Sequence, residues 1–563
     1  MTGFGNIRVR TGTFSVVGYS VDRMDQNVDK LLKRQEVEER LGVCKRTVLR
    51  YCNEGRFAGA FQMNGDGAWR IPEASLQAFM RAPDPEPFLA KAGTRQAGST
   101  QSIEDRRPSS SWSPQSWQQR DVAQQAPYDD ARAVEAVVER LRALPPLVTS
   151  WEIERLRSEL AEAQEGDRFV LQGGDCAETL ADCTPQTITN KLKILLQMSL
   201  VLVHGAKRPV IRIGRFAGQY AKPRSSPTES RQGPNGQAIE LPSYFGDLVN
   251  RADFTPEARR ADPELMLTAY QHAAMTLNFI RALIDGGFAD LHHPEYWDLQ
   301  FLRHASLPEE VRTEYQAASA QLAEALRFME ALGETSIDDL TRVEFFTSHE
   351  GLNLLYESAQ TRTVPRRDGH YDLTTHMPWI GDRTRDVSGA HVEFFRGVQN
   401  PLGVKIGAKA DPGEVIELID TLNPEDRPGR IALIVRMGAD HVDQALPRLI
   451  EAVSGAKKRV LWMCDPMHGN GMRTGSGIKT RDFDAILAEL ERSFDIHSRL
   501  GTYLGGVHFE MTGEDVTECV GGAAGVAEDD LTRNYTSLCD PRLNYQQAME
   551  LAFRISRRIG AGA

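Results

Sequence analysis

The sequence predicts an α/β protein, a (β/α)8 (TIM) barrel with inserted helices, preceded by a small winged helix-turn-helix domain. Three observations carry that expectation. Eight short apolar runs are separated mostly by helix-length segments, and a polar or charged residue stands in or just after each run. A stretch rich in Pro, Gly, Ser and Gln sets off an N-terminal piece with its own pattern.

At 563 residues the chain exceeds one ordinary core, so at least two domains are expected. A hydrophobic content of 41% and a charged content of 26% suit a soluble globular protein. No apolar run reaches the roughly 18 residues of a membrane span, and Met1-Thr-Gly-Phe-Gly-Asn-Ile-Arg8 lacks a secretory apolar stretch. The seven cysteines are few, odd in number and irregularly spaced, which argues for a reducing, cytoplasmic setting over a disulfide scaffold. A net charge of −12 excludes bulk nucleic-acid binding by the whole chain but not by a local basic domain.

The expected divisions are a tail over 1–28, a helix-turn-helix domain over 29–81, a linker over 82–111 and the barrel over 112–563. In the first domain, Gln35–Leu41 reads as a short amphipathic helix, Gly42-Val43 as a turn and Lys45–Asn53 as a second helix. The span from Phe61 to Ile71, with Asn64-Gly-Asp-Gly67 inside it, reads as a hairpin or wing. Pro72 stands near the start of a last helix that ends near Met80. Residues 31–81 hold nine Lys/Arg against six Asp/Glu, a local positive excess inside an acidic chain.

The eight apolar runs are Arg168–Leu171, Pro209–Ile213, Arg342–Thr347, Met377–Ile380, Leu402–Ile406, Ile431–Arg436, Val460–Met463 and Gly505–Glu510. Runs such as Ile431-Ala-Leu-Ile-Val435 are continuous rather than alternating, as expected of strands buried on both faces. Between the second and third runs, Met266–Ile284 and Tyr315–Leu332 read as extra helices, candidates for a subunit interface, a regulatory site or plain packing. The run ends carry Asp175-Cys176, Arg215, Ser348-His-Glu350, Asp382-Arg383, Lys405, Arg436, Asp465 with His468, and Glu510. Barrel enzymes place their chemistry at that strand end.

Two residue classes meet there. Cys176, His468 and Glu510, with Asp540 from a loop-like stretch, are a plausible ligand set for Mn, Fe, Co or Zn, since Mg and Ca favour oxygen alone. Arg215, Lys222, Arg224, Arg383, Lys405 and Arg436 form a basic set, and several such groups at one mouth imply a small polyanionic substrate. A metal beside them can polarise a carbonyl oxygen. Together they suggest carbon–carbon bond formation between phosphorylated metabolites.

The N-terminal run Val37…Leu41-Gly-Val43…Thr47-Val48…Glu54-Gly-Arg-Phe57…Trp69-Arg-Ile-Pro72…Leu76…Phe79 resembles the excisionase-like winged helix-turn-helix family. That resemblance implies DNA contact through Lys45, Arg46, Thr47 and Arg50, with Arg70 near the wing. Cys44 departs from the Ser or Thr cap expected there. The plainer alternative is a helical module for protein contacts.

Six motifs of the large piece closely resemble type II 3-deoxy-D-arabino-heptulosonate 7-phosphate (DAHP) synthases. They are Phe169-Val-Leu-Gln-Gly-Gly-Asp-Cys-Ala-Glu178, Gly214-Arg-Phe-Ala-Gly-Gln-Tyr-Ala-Lys-Pro-Arg-Ser225, Trp379-Ile-Gly-Asp-Arg-Thr-Arg385, Asn400-Pro-Leu-Gly-Val-Lys405, Cys464-Asp-Pro-Met-His-Gly-Asn470 and Thr512-Gly-Glu-Asp-Val-Thr-Glu-Cys519. The resemblance implies condensation of phosphoenolpyruvate with erythrose 4-phosphate to DAHP and phosphate, the first step of the shikimate pathway to chorismate and the aromatic amino acids. It implies a divalent metal on Cys176, His468, Glu510 and Asp540, with Mn2+ or Co2+ expected ahead of Zn2+ or Fe2+. Arg215, Asp382 (through its backbone N–H), Arg383, Lys405 and Arg436 would hold phosphoenolpyruvate, and Lys222, Arg224 and Ser225 would reach erythrose 4-phosphate. A homo-oligomer is expected, and some relatives take a chorismate mutase partner.

One departure is Asp382, where many relatives have Glu. Cys464 competes as a ligand, and Cys539 is expected to pair with Cys176 under oxidation when metal is absent. His204, His272, His292 and His293 are expected to be structural or exposed. Two other readings remain: an amino-DAHP synthase of secondary metabolism, and a transcription regulator whose barrel senses metabolites.

Overall fold

Apolar runs flanked by helix-forming segments close into a parallel barrel. The computed structural model describes residues 112–286 and 344–561 apart from 234 and 523, together with positions scattered over 31–81 and residue 313. Its strands are β1 (Phe169–Gly174), β2 (Val210–Arg215), β3 (Phe346–Thr347), β4 (Trp379–Ile380), β5 (Leu402–Gly407), β6 (Ile431–Arg436), β7 (Leu461–Cys464) and β8 (Leu504–Glu510). All pair in parallel in the order β4-β5-β6-β7-β8-β1-β2-β3. A parallel bridge between Glu350 and Trp379 joins the two ends of that order, helped by the Trp379 N–H donating to the His349 carbonyl at 3.0 Å. The ring leaves neither edge strand open, consistent with a (β/α)8 barrel.

The strands are mostly apolar because they are covered twice. Val170, Ile213, Ile434 and Met463 belong to one buried cluster, while Leu171, Val404, Leu433 and Val507 belong to another that includes the surrounding helices. Burying each such side chain contributes roughly 1.5–3 kcal/mol. The helix Pro185–Ala206 illustrates the local rules. Thr184 caps it by accepting from the Thr187 N–H, Pro185 begins it, and Lys207 ends it in the left-handed region at φ +52°.

Between β2 and β3 lie an antiparallel hairpin, Thr228–Gln232 with Ala238–Pro242, and the helix Glu264–Asp285. That helix covers the expected span Met266–Ile284, whereas Tyr315–Leu332, His292 and His293 fall outside the described residues. No helix among the described residues is long and apolar enough to cross a membrane.

Contacts divide the chain into two units, residues 1–107 and 108–563. In the first, Trp69–Pro72 pairs antiparallel with both Leu31–Lys33 and Phe61–Gln62, and the helix Glu73–Arg81 follows directly. Val37, Val48 and Cys52, all helical, pack with Leu32, Phe57, Ile71 and Leu76 into a small core. Arg70 lies on the central strand and is partly exposed, whereas Lys45, Arg46, Thr47, Arg50 and the span 82–111 lie outside the described residues.

Gly173 and Gly174, beyond the expected run Arg168–Leu171, are the last residues of β1, because β2 and β8 reach far enough to pair with them. Gly174 has φ +147°, and a Cβ there would sit 2.8 Å from the Arg215 carbonyl oxygen. Gly174→Ala is therefore expected to cost about 2 kcal/mol. Urea unfolding measures this, and an unchanged midpoint contradicts it.

Candidate active site

The C-terminal strand ends converge on a cavity of about 400 Å3 lined by eleven of the twelve residues expected to bind metal or substrate. The exception is Glu510, which is fully buried yet touches four cationic or ionisable side chains. Its Oε1 lies 3.1 Å from Arg215 Nη2, 3.6 Å from Lys222 Nζ and 2.9 Å from His468 Nε2, and its Oε2 lies 2.7 Å from Arg481 Nη2. Burial opposes a charge there, but His468, Lys222, Arg481 and Arg215 outweigh it and hold this carboxyl well below its ordinary value.

Cys176, Glu510 and Asp540 bring one donor atom each within 4.8 Å of one another. His468 joins this group through its 2.9 Å contact to Glu510. Its Nδ1 lies 2.7 Å from Asp465 Oδ2, which points Nε2 at the cluster. Lys222 Nζ sits among the same donors, 2.8 Å from both Cys176 Sγ and Asp540 Oδ2. A buried ammonium held by a thiol and carboxylates shows that the cluster suits a cation, and a thiol, imidazole and two carboxylates are borderline-metal chemistry. Burial, Cys539 and Glu510 push the Cys176 thiol well up, so a metal here must displace a proton.

The remaining cations line the same cavity, and Lys405, Arg436 and Arg224 are each paired with an acid. Lys405 pairs with buried Asp465, and Arg436 lies 3.3 Å from Asp382. Burial, with help from Arg215, lowers Lys405 to about 8 against the opposing pull of Asp465. The Asp382 carboxylate also accepts from Arg385 Nε at 3.0 Å and from the Gly407 N–H at 3.2 Å. Arg224 Nη2 donates to Glu229 at 2.9 Å, and Ser225 lines the cavity beside it. Arg383 is exposed at the mouth. Clustered cations over a small cavity match phosphate and carboxylate oxygens.

Cys464, the expected competitor, and the cysteine and histidine not expected to take part, Cys183 and His272, all lie outside the cavity lining. Cys464 is fully buried and its Sγ donates to Ser493 Oγ, away from the cavity lining. Cys183 contacts His272 and Thr276, and His272 is bonded to the Thr268 carbonyl. Cys176 and Cys539 are both free and pack together with Tyr244.

Other residues were not singled out for these roles by pattern. Arg481, from a short hairpin after β7, shares Glu510 with Arg215. His508, inside β8, accepts from Arg215 Nη1 at 2.7 Å through Nε2 and bonds Gln172 Oε1 through Nδ1. Burial, Lys405 and Arg215 hold this imidazole well below its usual value, so it stays neutral and braces Arg215. Glu350 lines the cavity, and its Oε1 has no hydrogen-bond partner among the described residues. Burial raises its carboxyl above the ordinary value, against the opposing pull of Lys222, Lys405, His468 and Arg215. His508 and Glu350 both sit at run ends or within runs, so only their partners were hidden.

A parallel barrel whose strand ends bring a cationic mouth beside a thiol, imidazole and carboxylate cluster has the layout of a barrel enzyme. Comparison with known proteins narrows this. Residues 112–556 match the class-II DAHP synthetase family, and residues 31–83 match a helix-turn-helix domain. A phospho-2-dehydro-3-deoxyheptonate aldolase of Neurospora crassa is 46% identical over 461 residues, covering 79% of this chain and 94% of the relative. One from Streptomyces coelicolor is 46% identical over 440 residues, covering 78% and 96%. The chain belongs to the class-II DAHP synthetase family and is a 3-deoxy-7-phosphoheptulonate synthase.

Glu489 holds two loops of this site together, accepting from the Met437 N–H and from Asn470 Nδ2, both at 2.7 Å. Burial, reinforced by Asp465 and opposed by the Met437 and Gly438 N–H groups and Asn470, raises its carboxyl to about 7. The folded state thus holds this proton more tightly than the unfolded chain, so the contribution is present below about pH 4.5 and lost as pH rises through 7. The stability of wild type relative to Glu489→Gln is expected to fall by roughly 3 kcal/mol over that window. Urea unfolding across pH measures it, and a pH-independent difference contradicts it.

Proposed function

We propose that this chain condenses phosphoenolpyruvate with erythrose 4-phosphate at the barrel mouth, using a divalent metal held by Cys176, His468, Glu510 and Asp540. The observation that carries this reading is the adjacency of two sets at one cavity: the donor cluster of Cys176, Glu510 and Asp540 with His468 against Glu510, and a group of cations. Mn2+ or Co2+ suits the donors, as do Zn2+ and Fe2+. When bound, such an ion supplies Lewis acidity toward the aldehyde oxygen of erythrose 4-phosphate.

The protein's own groups do the rest. Arg215, Arg383, Lys405 and Arg436 hold the phosphate and carboxylate of phosphoenolpyruvate, with Asp382 and His508 keeping Arg436 and Arg215 in place. Lys222, Arg224 and Ser225, which line the same cavity with Lys222 against Asp540, receive erythrose 4-phosphate. Carbon 3 of phosphoenolpyruvate forms the new bond to the aldehyde carbon, whose oxygen takes a proton. Water adds at carbon 2, and the bond from carbon 2 to the phosphate oxygen breaks to release phosphate. Glu350, which lines the cavity and has no hydrogen-bond partner at Oε1 among the described residues, is the group we assign to moving the proton. Fixing both substrates among oriented charges supplies much of the acceleration.

The helix-turn-helix match favours a second role, DNA binding by the basic N-terminal unit through Lys45, Arg46, Thr47, Arg50 and Arg70. Phosphate contacts of this kind weaken with salt.

The direct test is phosphate release by the full-length protein with both substrates and Mn2+ or Co2+. Turnover requiring both substrates and metal is expected, and Cys176→Ser is expected to lose metal and activity while keeping its circular dichroism. Full activity in that variant contradicts the ligand assignment, and promoter binding without turnover favours a metabolite-sensing regulator. Replacing erythrose 4-phosphate by an amino-sugar phosphate separates the amino-DAHP alternative.

Because Lys405 sits at about 8, its charge is lost as pH rises past that value. The kcat/KM for phosphoenolpyruvate is expected to fall above about pH 8, by up to about tenfold per pH unit. A flat profile from neutral to alkaline pH contradicts a binding role for that ammonium.

For the N-terminal unit, Arg46→Ala with Arg50→Ala is expected to abolish DNA binding and leave turnover unchanged. Gel shifts identical before and after dismiss this interface.

A further inference from the structure

Cys176 is flanked by two buried carboxylates, and each ties it to another loop of the site. On one side, Glu178 accepts the backbone N–H groups of Ala217, Gly218 and Gln219, all at 3.0 Å. That anchors the segment leading to Lys222. On the other side, Asp175 is 1% exposed and lies between two cations. Lys191 Nζ from the helix Pro185–Ala206 approaches Asp175 Oδ2 at 2.6 Å, and Arg542 Nη1 approaches Asp175 Oδ1 at 2.7 Å.

Arg542 follows Asp540 by two residues and organises the loop that carries it. It grips Glu518 in two-point fashion, through Nε at 3.1 Å and Nη2 at 2.9 Å, and its backbone N–H donates to Glu518 Oε2 at 2.7 Å. Glu518 also accepts from the Thr536 and Ser537 N–H groups at 3.1 and 2.8 Å, so the loop from 536 to 542 is wound around one buried carboxylate. The guanidinium then reaches across to Asp175. Between these bolted ends, the Asp540 N–H donates to Cys176 Sγ at 3.3 Å and Sγ stands 3.8 Å from Asp540 Oδ2.

We propose that the Asp175–Arg542 ion pair is the positioning device that fixes the distance between the Cys176 thiol and the Asp540 carboxylate, and so sets how tightly the cluster holds a divalent cation. This rests on the metal-binding reading of the cluster. Neither residue lines the cavity, so the pair acts through the ligands and not on substrate. Its partner groups explain why Arg and not Lys stands at 542: only the planar fork spans Glu518 and Asp175 together. Partners behind metal ligands commonly change affinity by about 10- to 100-fold when removed.

The test uses full-length wild type, Asp175→Asn and Arg542→Lys, with Co2+ as the probe. Asp175→Asn leaves buried Lys191 and part-buried Arg542 facing a neutral group and can disturb folding, so Arg542→Lys, which keeps the charge and loses the fork, is the second variant. Co2+ affinity is measured by chelator competition, the thiolate-to-cobalt charge-transfer absorbance by titration, and the KM for phosphoenolpyruvate at saturating Co2+. Expected results for Arg542→Lys are a Kd for Co2+ raised at least about tenfold, a weakened charge-transfer band, and turnover restored by excess Co2+ with that KM unmoved. Unchanged Kd and absorbance in folded variants overturn the proposal. A variant whose KM rises while its Co2+ Kd stays constant also overturns it. Absence of Co2+ binding by wild type overturns the metal reading itself, a result distinct from either.

Discussion

The buried carboxylate of Glu510 is the interaction around which the site is built. It ends β8 with no exposed surface, and an uncompensated charge in that position would be strongly destabilising. Arg215 from β2, Lys222 from the following loop, His468 from the β7 loop and Arg481 from the hairpin beyond it all converge on its two oxygens. One charge therefore fixes the orientation of four groups on three sides of the barrel. Each of those groups has a second partner, His508 for Arg215, Asp540 for Lys222, Asp465 for His468 and the Pro541 carbonyl for Arg481. The result is a continuous net of fixed dipoles and charges, formed before any substrate arrives.

Barrel geometry is what makes that convergence available. Parallel strands paired in register bring Gly174, Arg215 and Glu510 side by side at one end, although they come from distant parts of the chain. Their apolar residues fill the interior and the helix interface, leaving chemistry to the strand ends. Gly174 allows the closest approach, since only a residue without Cβ fits against the Arg215 carbonyl.

The strands were legible in the sequence because burial on both faces leaves unbroken apolar runs, and Ile431–Arg436 was placed without error. Boundaries slipped where pairing, not hydrophobicity, decides them. Gly173-Gly174, past the end of the first apolar run, is held in β1 by its neighbours, while among the described residues of the third run only Phe346–Thr347 pairs as strand. The candidate ligands and cations were readable as residue types near run ends, with their order along the chain matching a family. Their supporting contacts were not readable, since Arg481 to Glu510, His508 to Arg215 and Glu489 to Asn470 are set by three-dimensional register. Asp382 shows the same limit: a side chain expected to be incidental turns out to hold Arg436 and Arg385.

The central claim is that one cavity joins a cation-holding cluster to a phosphate-holding ring. An anomalous difference map from crystals soaked with Mn2+ and phosphoenolpyruvate tests it most directly. The account predicts one strong peak among Cys176 Sγ, His468 Nε2, Glu510 and Asp540, with the phosphate of phosphoenolpyruvate against the guanidinium and ammonium groups of Arg215, Lys405 and Arg436. A manganese peak elsewhere, or phosphoenolpyruvate bound away from those cations, would contradict it.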